Sequence, residues 1–179
     1  MNPPQPCRLA LIGISGAGKT TLARVLGSRW NWPVIDLDSL IESAAEKPVA
    51  AVFAAEGEAG FREREAVALR SAALLPPPLI LAAGGGVIAT SAAREILTRD
   101  FVPVWLQLEP ELAAERLGEG HGRPLLEGAT TLARALAVQL AQREAWYAAV
   151  ARVRVDAAAP GMEARLEIAV KALPPSATR

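Results

Sequence analysis

The 179-residue sequence is poor in several residue types, and each scarcity excludes a class of protein. It contains one cysteine, so no internal disulfide can form and a disulfide-stapled extracellular scaffold is excluded. Aromatic residues make up only 4% of the chain, and its 19 basic residues are balanced by 19 acidic ones. A neutral chain with few aromatics lacks the basic, stacking surface typical of nucleic-acid-binding proteins. We therefore expect no nucleic-acid partner.

Long apolar runs are also missing. The longest apolar stretch, residues 72–83, is interrupted by three prolines and is shorter than the roughly 20 residues that span a bilayer. The first residues carry neither the basic nor the apolar region of a signal peptide. These absences argue against a secreted or membrane-embedded protein. A chain of this length has the size of one domain, and we expect a cytoplasmic location for it.

Short apolar runs alternate with segments of helical periodicity. The strand-like runs lie at residues 9–14, 34–37, 79–83 and 102–108, and a weaker fifth at 153–155 alternates with charge. Helical spacing marks the segments 18–30, 61–73, 91–99, 110–118, 130–150 and 162–173. Apolar strands that alternate with helices predict a mostly parallel sheet covered on both faces. The pattern thus predicts a three-layer α/β fold.

The strongest motif is a glycine-rich loop between the first strand and the first helix, with the sequence GISGAGKT at residues 13–20. It matches the P-loop pattern of glycine, four residues, glycine, lysine and threonine. Its glycines allow successive backbone N–H groups to point at phosphate oxygens, beside the positive end of the following helix. Lys19 can reach the outer phosphates, and the Thr20 hydroxyl can coordinate Mg²⁺. The motif predicts that the protein binds a nucleoside triphosphate.

Two carboxylates follow the second strand. Asp36 and Asp38 alternate along an extended segment, so we expect both on one side, at the strand end where open α/β sheets bind ligands. One carboxylate can support Mg²⁺ through water, while the other accepts a hydrogen bond from a substrate hydroxyl. The alternative interpretation is that Asp38 only caps a helix that starts at Ser39.

Arg62 and Glu65 are three residues apart, so a helix would bring them to one face. An ion pair there would fix the guanidinium for bidentate capture of a carboxylate. A solvated, charged helix start explains the same residues equally well. Three glycines directly after the third strand, Gly84, Gly85 and Gly86, favour close approach of a ligand to bare backbone.

Two arginines occur later in the chain. Arg123 lies in the glycine-rich segment 118–128, whose composition is typical of a mobile lid that brings a cation over a transferring phosphate. Arg143 lies on the predicted helix 130–150, four residues before Tyr147. Taken singly, such arginines are more often surface charges than ligand contacts.

In this order and spacing, the motifs resemble those of the shikimate kinase family over nearly the whole chain. Besides the P-loop, the resemblance rests on Asp36-Leu37-Asp38, Ile41-Glu42, Phe53, Gly57-Glu58, Phe61-Arg62, Glu65, Gly84-Gly85-Gly86, Arg123-Pro124-Leu125-Leu126, and Arg143 with Tyr147. It implies a five-stranded parallel sheet flanked by helices, in a single domain that spans residues 1–179. It also implies a substrate-binding subdomain at residues 37–65 and a mobile lid at residues 117–129.

The activity implied by the resemblance is transfer of the ATP γ-phosphoryl group to the 3-hydroxyl of shikimate, a step towards chorismate and the aromatic amino acids. The expected partners are ATP and shikimate, the cofactor is Mg²⁺, and the expected state is a monomer. The residues assigned to the nucleotide are Gly16, Ala17, Gly18, Lys19, Thr20, Thr21 and Arg123, with Arg116 and Pro160 on the two sides of the adenine.

The remaining implied roles concern shikimate, the metal and catalysis. The residues assigned to shikimate are Asp38, Arg62, Gly84, Gly85, Gly86 and Arg143. Thr20 and Asp36 are assigned to the surroundings of Mg²⁺. The residues with catalytic roles are Lys19, Asp38 and Arg123.

The chain departs from the family pattern in two places. Between Glu42 and Phe53 the family usually has a glycine where this chain has Glu46 or Lys47-Pro48, which alters a turn between helices. The lid is short and unusually rich in glycine.

Two alternatives to a shikimate kinase stay open. Another small P-loop kinase, similar to gluconate kinase, would not require the Arg62–Glu65 pair, the triple glycine and Arg143 together. A nucleotide-binding module without turnover would be expected to lose Lys19, Asp38 or an acceptor arginine, and all of them are present.

Overall fold

The computed structural model describes residues 4–118 and 132–173. Within these ranges the elements are, in chain order, β1 (Arg8–Ile12), α1 (Lys19–Trp30), β2 (Val34–Asp36), α2 (Leu37–Ala45), α3 (Val49–Ala73), β3 (Leu79–Ala82), a short 3₁₀ helix (Val87–Ala89), α4 (Ser91–Asp100), β4 (Val102–Gln107), α5 (Pro110–Leu117), α6 (Leu132–Val150), β5 (Val153–Asp156) and α7 (Met162–Lys171). Among these described helices, none is long and apolar enough to cross a membrane.

The strands form one sheet in the order β2-β3-β1-β4-β5, and every neighbouring pair is parallel. The predicted α/β fold with a five-stranded parallel sheet is therefore confirmed. The central strands are apolar because helices cover the sheet: four of the five residues of β1 and all four of β3 are buried. In the edge strand β5, Val153 and Val155 are buried while Arg154 and Asp156 are exposed, as its alternating sequence predicts.

The connection from β2 to α2 differs from the predicted extended segment. The strand ends at Asp36, and Leu37 already begins α2, so Asp38 lies in the first helical turn. Asp36 is the residue that caps this helix, because its Oδ1 accepts the backbone N–H groups of Asp38 at 3.0 Å and Ser39 at 3.4 Å. The extended alternation of the two carboxylates was thus wrong, and so was the alternative that Asp38 caps the helix.

α3 is longer than its predicted segment and is bent. It starts at Val49, not near Phe61, and contains a break at Gly57, where φ is 68° and ψ is −174°. That conformation is essentially restricted to glycine, so the bend occurs at this residue. The half of α3 after the bend carries Arg62 and Glu65, and it ends before the three prolines as predicted.

The turn between α2 and α3 contains the departure from the family pattern. Glu46, the residue after α2, has φ 54° and ψ 30°, in the left-handed region. A residue with a Cβ pays a steric penalty of about 1 kcal/mol in that region, which glycine avoids. A glycine in this turn would therefore fit the backbone better than the glutamate does.

We predict that Glu46→Gly raises the free energy of unfolding by about 1 kcal/mol, because it removes the left-handed strain at an exposed position. The matched control is Glu95→Gly, which makes the same change at an exposed position inside α4 and should lower stability by about 1 kcal/mol. Urea unfolding measures both changes, provided that the slope of the unfolding free energy against urea concentration is the same for the variants and the wild type. Destabilisation by both variants would contradict the assignment of strain to Glu46.

Candidate active site

The P-loop connects β1 to α1 and is closely packed against other backbone segments. A Cβ added to Gly13 would lie 2.6 Å from the carbonyl oxygen of Leu106, so no larger residue fits there. Lys19, the first residue of α1, is buried, and its Nζ donates to the carbonyls of Gly13 and Ile14, each at 2.9 Å. The lysine charge is thus held over the loop, next to the positive N-terminal end of α1. Both favour the binding of an anion.

Thr20 and Asp36 join the P-loop helix to the end of β2. The Thr20 hydroxyl donates to Asp36 Oδ2 at 2.7 Å, while the other carboxylate oxygen caps α2. The described ranges contain no group of three or more His, Cys, Asp or Glu residues that could hold a metal. Two oxygen ligands suit Mg²⁺ nevertheless, because this ion keeps several waters and takes further oxygens from substrate phosphates. The donor set therefore fits the predicted metal.

A cleft of about 290 Å³ opens at the ends of β1, β2 and β3. Its lining includes most of the residues predicted for nucleotide and metal: Gly16, Gly18, Lys19, Thr20, Thr21, Asp36 and Arg116. The same cleft is lined by Asp38, Gly84 and Gly85, which the sequence assigned to the acceptor. The sheet thus brings most of the nucleotide residues and part of the acceptor set to one cavity, whereas Arg62, Gly86 and Arg143 are not among the described residues that line it.

Two of the predicted nucleotide residues, Ala17 and Pro160, are not among the described residues that line the cleft, whereas Arg116 lines it and makes a further contact. Ala17 is fully buried beneath the loop. Arg116 Nη2 donates to the carbonyl of Ala157 at 2.9 Å, so the end of α5 touches the loop that follows β5. Pro160 is exposed on that same loop and is not among the described residues around the cleft. The two predicted sides of the adenine pocket are therefore adjacent.

Most of the predicted lid, residues 117–129, lies outside the described residues, which end at 118 and resume at 132. Arg123 belongs to this part, so its role stays a prediction. At the start of the segment, Leu117 ends α5 and lines the cleft, and Gly118 caps the helix.

The first two glycines after β3 are surrounded by the site's own atoms. A Cβ on Gly84 would lie 2.9 Å from Glu65 Oε1 and 3.0 Å from Asp38 Oδ1. A Cβ on Gly85 would lie 3.0 Å from Ser15 Oγ in the P-loop. The sequence predicted that bare backbone admits a ligand here. The structure adds that neighbouring side chains already fill the space that a side chain would need.

Arg62 lies over the third glycine, since a Cβ on Gly86 would overlap its guanidinium. Its Nη1 pairs with Glu65 Oε2 at 2.7 Å, and its Nη2 pairs with Glu58 Oε1 at 3.1 Å. The 2.7 Å distance confirms the predicted ion pair. Because Glu65 is only 2% exposed, a wholly solvated helix start was the wrong alternative. The buried Nε of Arg62 has no hydrogen-bond partner among the described residues, which marks a donor that an acceptor atom could satisfy.

Glu65 and Arg143 complete the charged cluster around these glycines. Burial raises the pKa of Glu65 above its ordinary value; the Arg62 charge and hydrogen bond oppose this, Asp38 adds to it, and Arg143 lowers it slightly. Arg143, buried on α6, donates through Nη1 to the Gly85 carbonyl at 3.2 Å and to Gln139 at 3.3 Å. Two arginines from separate helices therefore flank one short backbone segment.

Two contacts in this region were missed by reasoning from the sequence. Ser15 was treated only as part of the P-loop, yet it packs against Gly85. Tyr147 was noted for its spacing from Arg143 and as part of the family resemblance but given no role, yet its hydroxyl donates to the Gly85 carbonyl at 2.7 Å. The four-residue spacing was the available signal, because it places both side chains on one face of α6. It could not identify the acceptor, which lies 62 residues away in the chain.

A phosphate-binding loop that shares one cleft with two carboxylates, beside glycines flanked by two arginines, is the arrangement of a P-loop kinase with a small-molecule acceptor. Residues 15–173 match the family described as Shikimate kinase. The chain belongs to the shikimate kinase family, whose members are ATP-dependent kinases, and the resemblance in the sequence is confirmed.

Known relatives agree with this assignment. The shikimate kinase of Symbiobacterium thermophilum is 42% identical over 149 residues, which cover 82% of this chain and 84% of that protein. The solved shikimate kinase from Acinetobacter baumannii, in complex with shikimate, has a TM-score of 0.84 and 32% identity, and the match covers 92% of this chain and 90% of that one. A gluconokinase from Sinorhizobium meliloti, with a TM-score of 0.61 and 20% identity over 94% of this chain and 91% of that one, shares the fold alone.

The raised pKa of Glu65 predicts how stability depends on pH. A carboxyl whose pKa is higher in the folded state contributes stability that is complete below the unfolded pKa and is lost as pH rises through the folded pKa. We therefore expect the wild type to lose stability relative to Glu65→Gln as pH rises from about 4, where an unfolded glutamate begins to ionise. Urea unfolding at a series of pH values measures this difference.

Glu63→Gln is the control for this experiment, because Glu63 lies on the same helix but is exposed. The difference between the wild type and this variant should stay nearly constant with pH. A wild type that gains stability relative to Glu65→Gln with rising pH would show that the Arg62 pair outweighs burial, contrary to the expected direction.

Proposed function

We propose that this protein is a shikimate kinase, which transfers the γ-phosphoryl group of ATP to the 3-hydroxyl of shikimate and yields shikimate 3-phosphate and ADP. The observation that carries the proposal is the buried cluster of Arg62, Glu65 and Arg143 around the three glycines that follow β3. Asp38 lies beside the first of these glycines, and Gly84 and Gly85 line the cleft together with the P-loop. Membership of the shikimate kinase family favours shikimate over gluconate as the acceptor.

On the nucleotide side, Lys19 and the loop N–H groups bind the phosphates of ATP. For this, the Lys19 ammonium moves from the carbonyls of Gly13 and Ile14 to phosphate oxygens. Thr20 and Asp36 would hold Mg²⁺, directly or through water, and the bound ion would supply neutralisation of charge on the phosphates.

On the acceptor side, the carboxylate of shikimate binds between the guanidinium groups of Arg62 and Arg143. Arg143 donates to the Gly85 carbonyl and Arg62 lies against Gly86, so the two positive charges flank adjacent residues beside the cleft. The backbone of Gly84 and Gly85 lies along the ring, since both residues line the cleft. Glu65 holds Arg62 in place through the 2.7 Å pair.

Asp38 accepts the hydrogen bond of the 3-hydroxyl and takes its proton during transfer. Phosphoryl transfer has a loose transition state, so the nucleophile needs little activation and the proton leaves late. Lys19 stabilises the charge that develops on the transferring oxygens, and Arg123 is proposed to do so from the lid. Closure of the lid and of the 37–65 subdomain would exclude water and prevent wasteful hydrolysis of ATP. We propose that one chain carries the complete site and acts in the cytoplasm.

The proposed function is tested by coupled ADP release with Mg·ATP, with shikimate and gluconate offered in parallel. We expect ADP release with shikimate and none above background with gluconate. Release with gluconate alone would identify another P-loop kinase. ATP binding without release for either acceptor would favour a nucleotide-binding module.

We predict that Asp38→Asn lowers kcat with shikimate by at least about tenfold, the lower range of acid–base contributions, because the amide cannot take the proton. The affinity for ATP should change little. Asp100→Asn is the matched control, because Asp100 pairs with Arg99 before β4, at the opposite end of the sheet from the cleft. Steady-state turnover near the wild-type value in Asp38→Asn would remove this residue from catalysis.

A further inference from the structure

Two side chains of α6 share one acceptor atom. Tyr147 Oη donates to the carbonyl oxygen of Gly85 at 2.7 Å, and Arg143 Nη1 donates to the same oxygen at 3.2 Å. A carbonyl oxygen has two lone pairs, so these two donors satisfy it completely. The shorter of the two bonds is made by the tyrosine.

Tyr147 is held rigidly in this position. It is fully buried, and its ring stacks on Trp105 of β4, with ring centroids 5.6 Å apart and planes inclined by 17°. Burial also raises the pKa of Tyr147 far above its ordinary value, so the hydroxyl keeps its proton. Tyr147 is therefore a fixed, neutral donor towards Gly85.

Gly85 connects the two halves of the cleft. It lines the cavity together with Asp38 and Lys19, and Ser15 of the P-loop lies where a side chain on Gly85 would be. A displacement of this residue would change its distance to the P-loop and alter the backbone that faces the acceptor. On the side of α6, Gly85 is fixed through its carbonyl oxygen, which accepts hydrogen bonds from both Arg143 and Tyr147.

Under the proposed function, Arg143 has a second task, because its guanidinium must also bind the carboxylate of shikimate. We infer that Tyr147 is a positioning residue, which keeps the Gly85 carbonyl satisfied and fixed when Arg143 turns to the acceptor. Without the tyrosine hydroxyl, Arg143 would be the one remaining donor seen at this oxygen within the described residues. Its departure would then leave a buried carbonyl bare and weaken acceptor binding.

The test is Tyr147→Phe, which removes the hydroxyl and keeps the stacked ring. We expect KM for shikimate to rise about tenfold, which corresponds to about 1.4 kcal/mol, with kcat and KM for Mg·ATP changed by less than about threefold. A rise in KM at constant kcat reports lost binding, not lost chemistry. An unchanged KM for shikimate would overturn the inference.

Trp30→Phe is the control for general destabilisation. Trp30 is a buried aromatic residue at the far end of α1, about 16 Å along the helix from Lys19. It should lower stability without changing KM for shikimate. If both variants raise this KM alike, the effect comes from stability and the inference fails.

A second measurement needs no variant, because Tyr147 is the only tyrosine of the chain. In full-length protein labelled with ¹³C-tyrosine, NMR gives a signal from this residue alone. We expect its ring resonance to shift as shikimate is added, since Arg143 leaves the shared carbonyl oxygen. A resonance that does not move at saturating shikimate would overturn the inference.

The shikimate kinase activity and the role of Tyr147 can be refuted separately. If the wild type releases no ADP with shikimate, the proposed function is wrong. If the wild type turns over shikimate but Tyr147→Phe retains the wild-type KM, the function stands and only the role of Tyr147 is refuted.

Discussion

The site depends on the absence of side chains at residues 84–86. Each of these glycines contacts a different functional group: Gly84 meets Glu65 and Asp38, Gly85 meets Ser15, and Gly86 lies beneath Arg62. A single methyl group at any of them would displace part of the site. The carboxylates, the arginine and the P-loop converge on this short segment because it follows β3, which lies between β1 and β2 in the sheet.

Electrostatics and burial act together at this segment. Glu65 is buried and would be costly as an isolated charge, but Arg62 pairs with it and Arg143 lies near enough to lower its pKa. The ion pair also restricts the rotamers of Arg62, so its guanidinium is oriented before a ligand binds. The same residues therefore supply both the positive charge and its direction.

Most of the fold could be predicted from the sequence, because apolar strand runs and the P-loop are local patterns. The conformation of residues 36–38 could not be predicted. The alternation of the two carboxylates was derived for a continuing strand, whereas α2 begins at Leu37 and Asp36 accepts its free N–H groups. The first half of α3 was hidden by alanine-rich sequence without a clear face. Contacts such as Tyr147 with Gly85 depend on the packing of distant elements, which no local pattern encodes.

The two carboxylate oxygens of Asp36 make different contacts. One caps α2, and the other accepts a hydrogen bond from the Thr20 hydroxyl of α1. A rotation of α2 would therefore be transmitted to the Thr20 hydroxyl through this one side chain. α2 and α1 are in this sense mechanically coupled through one carboxylate. A substitution of Asp36 would therefore change the start of α2 and the surroundings of Thr20 at the same time.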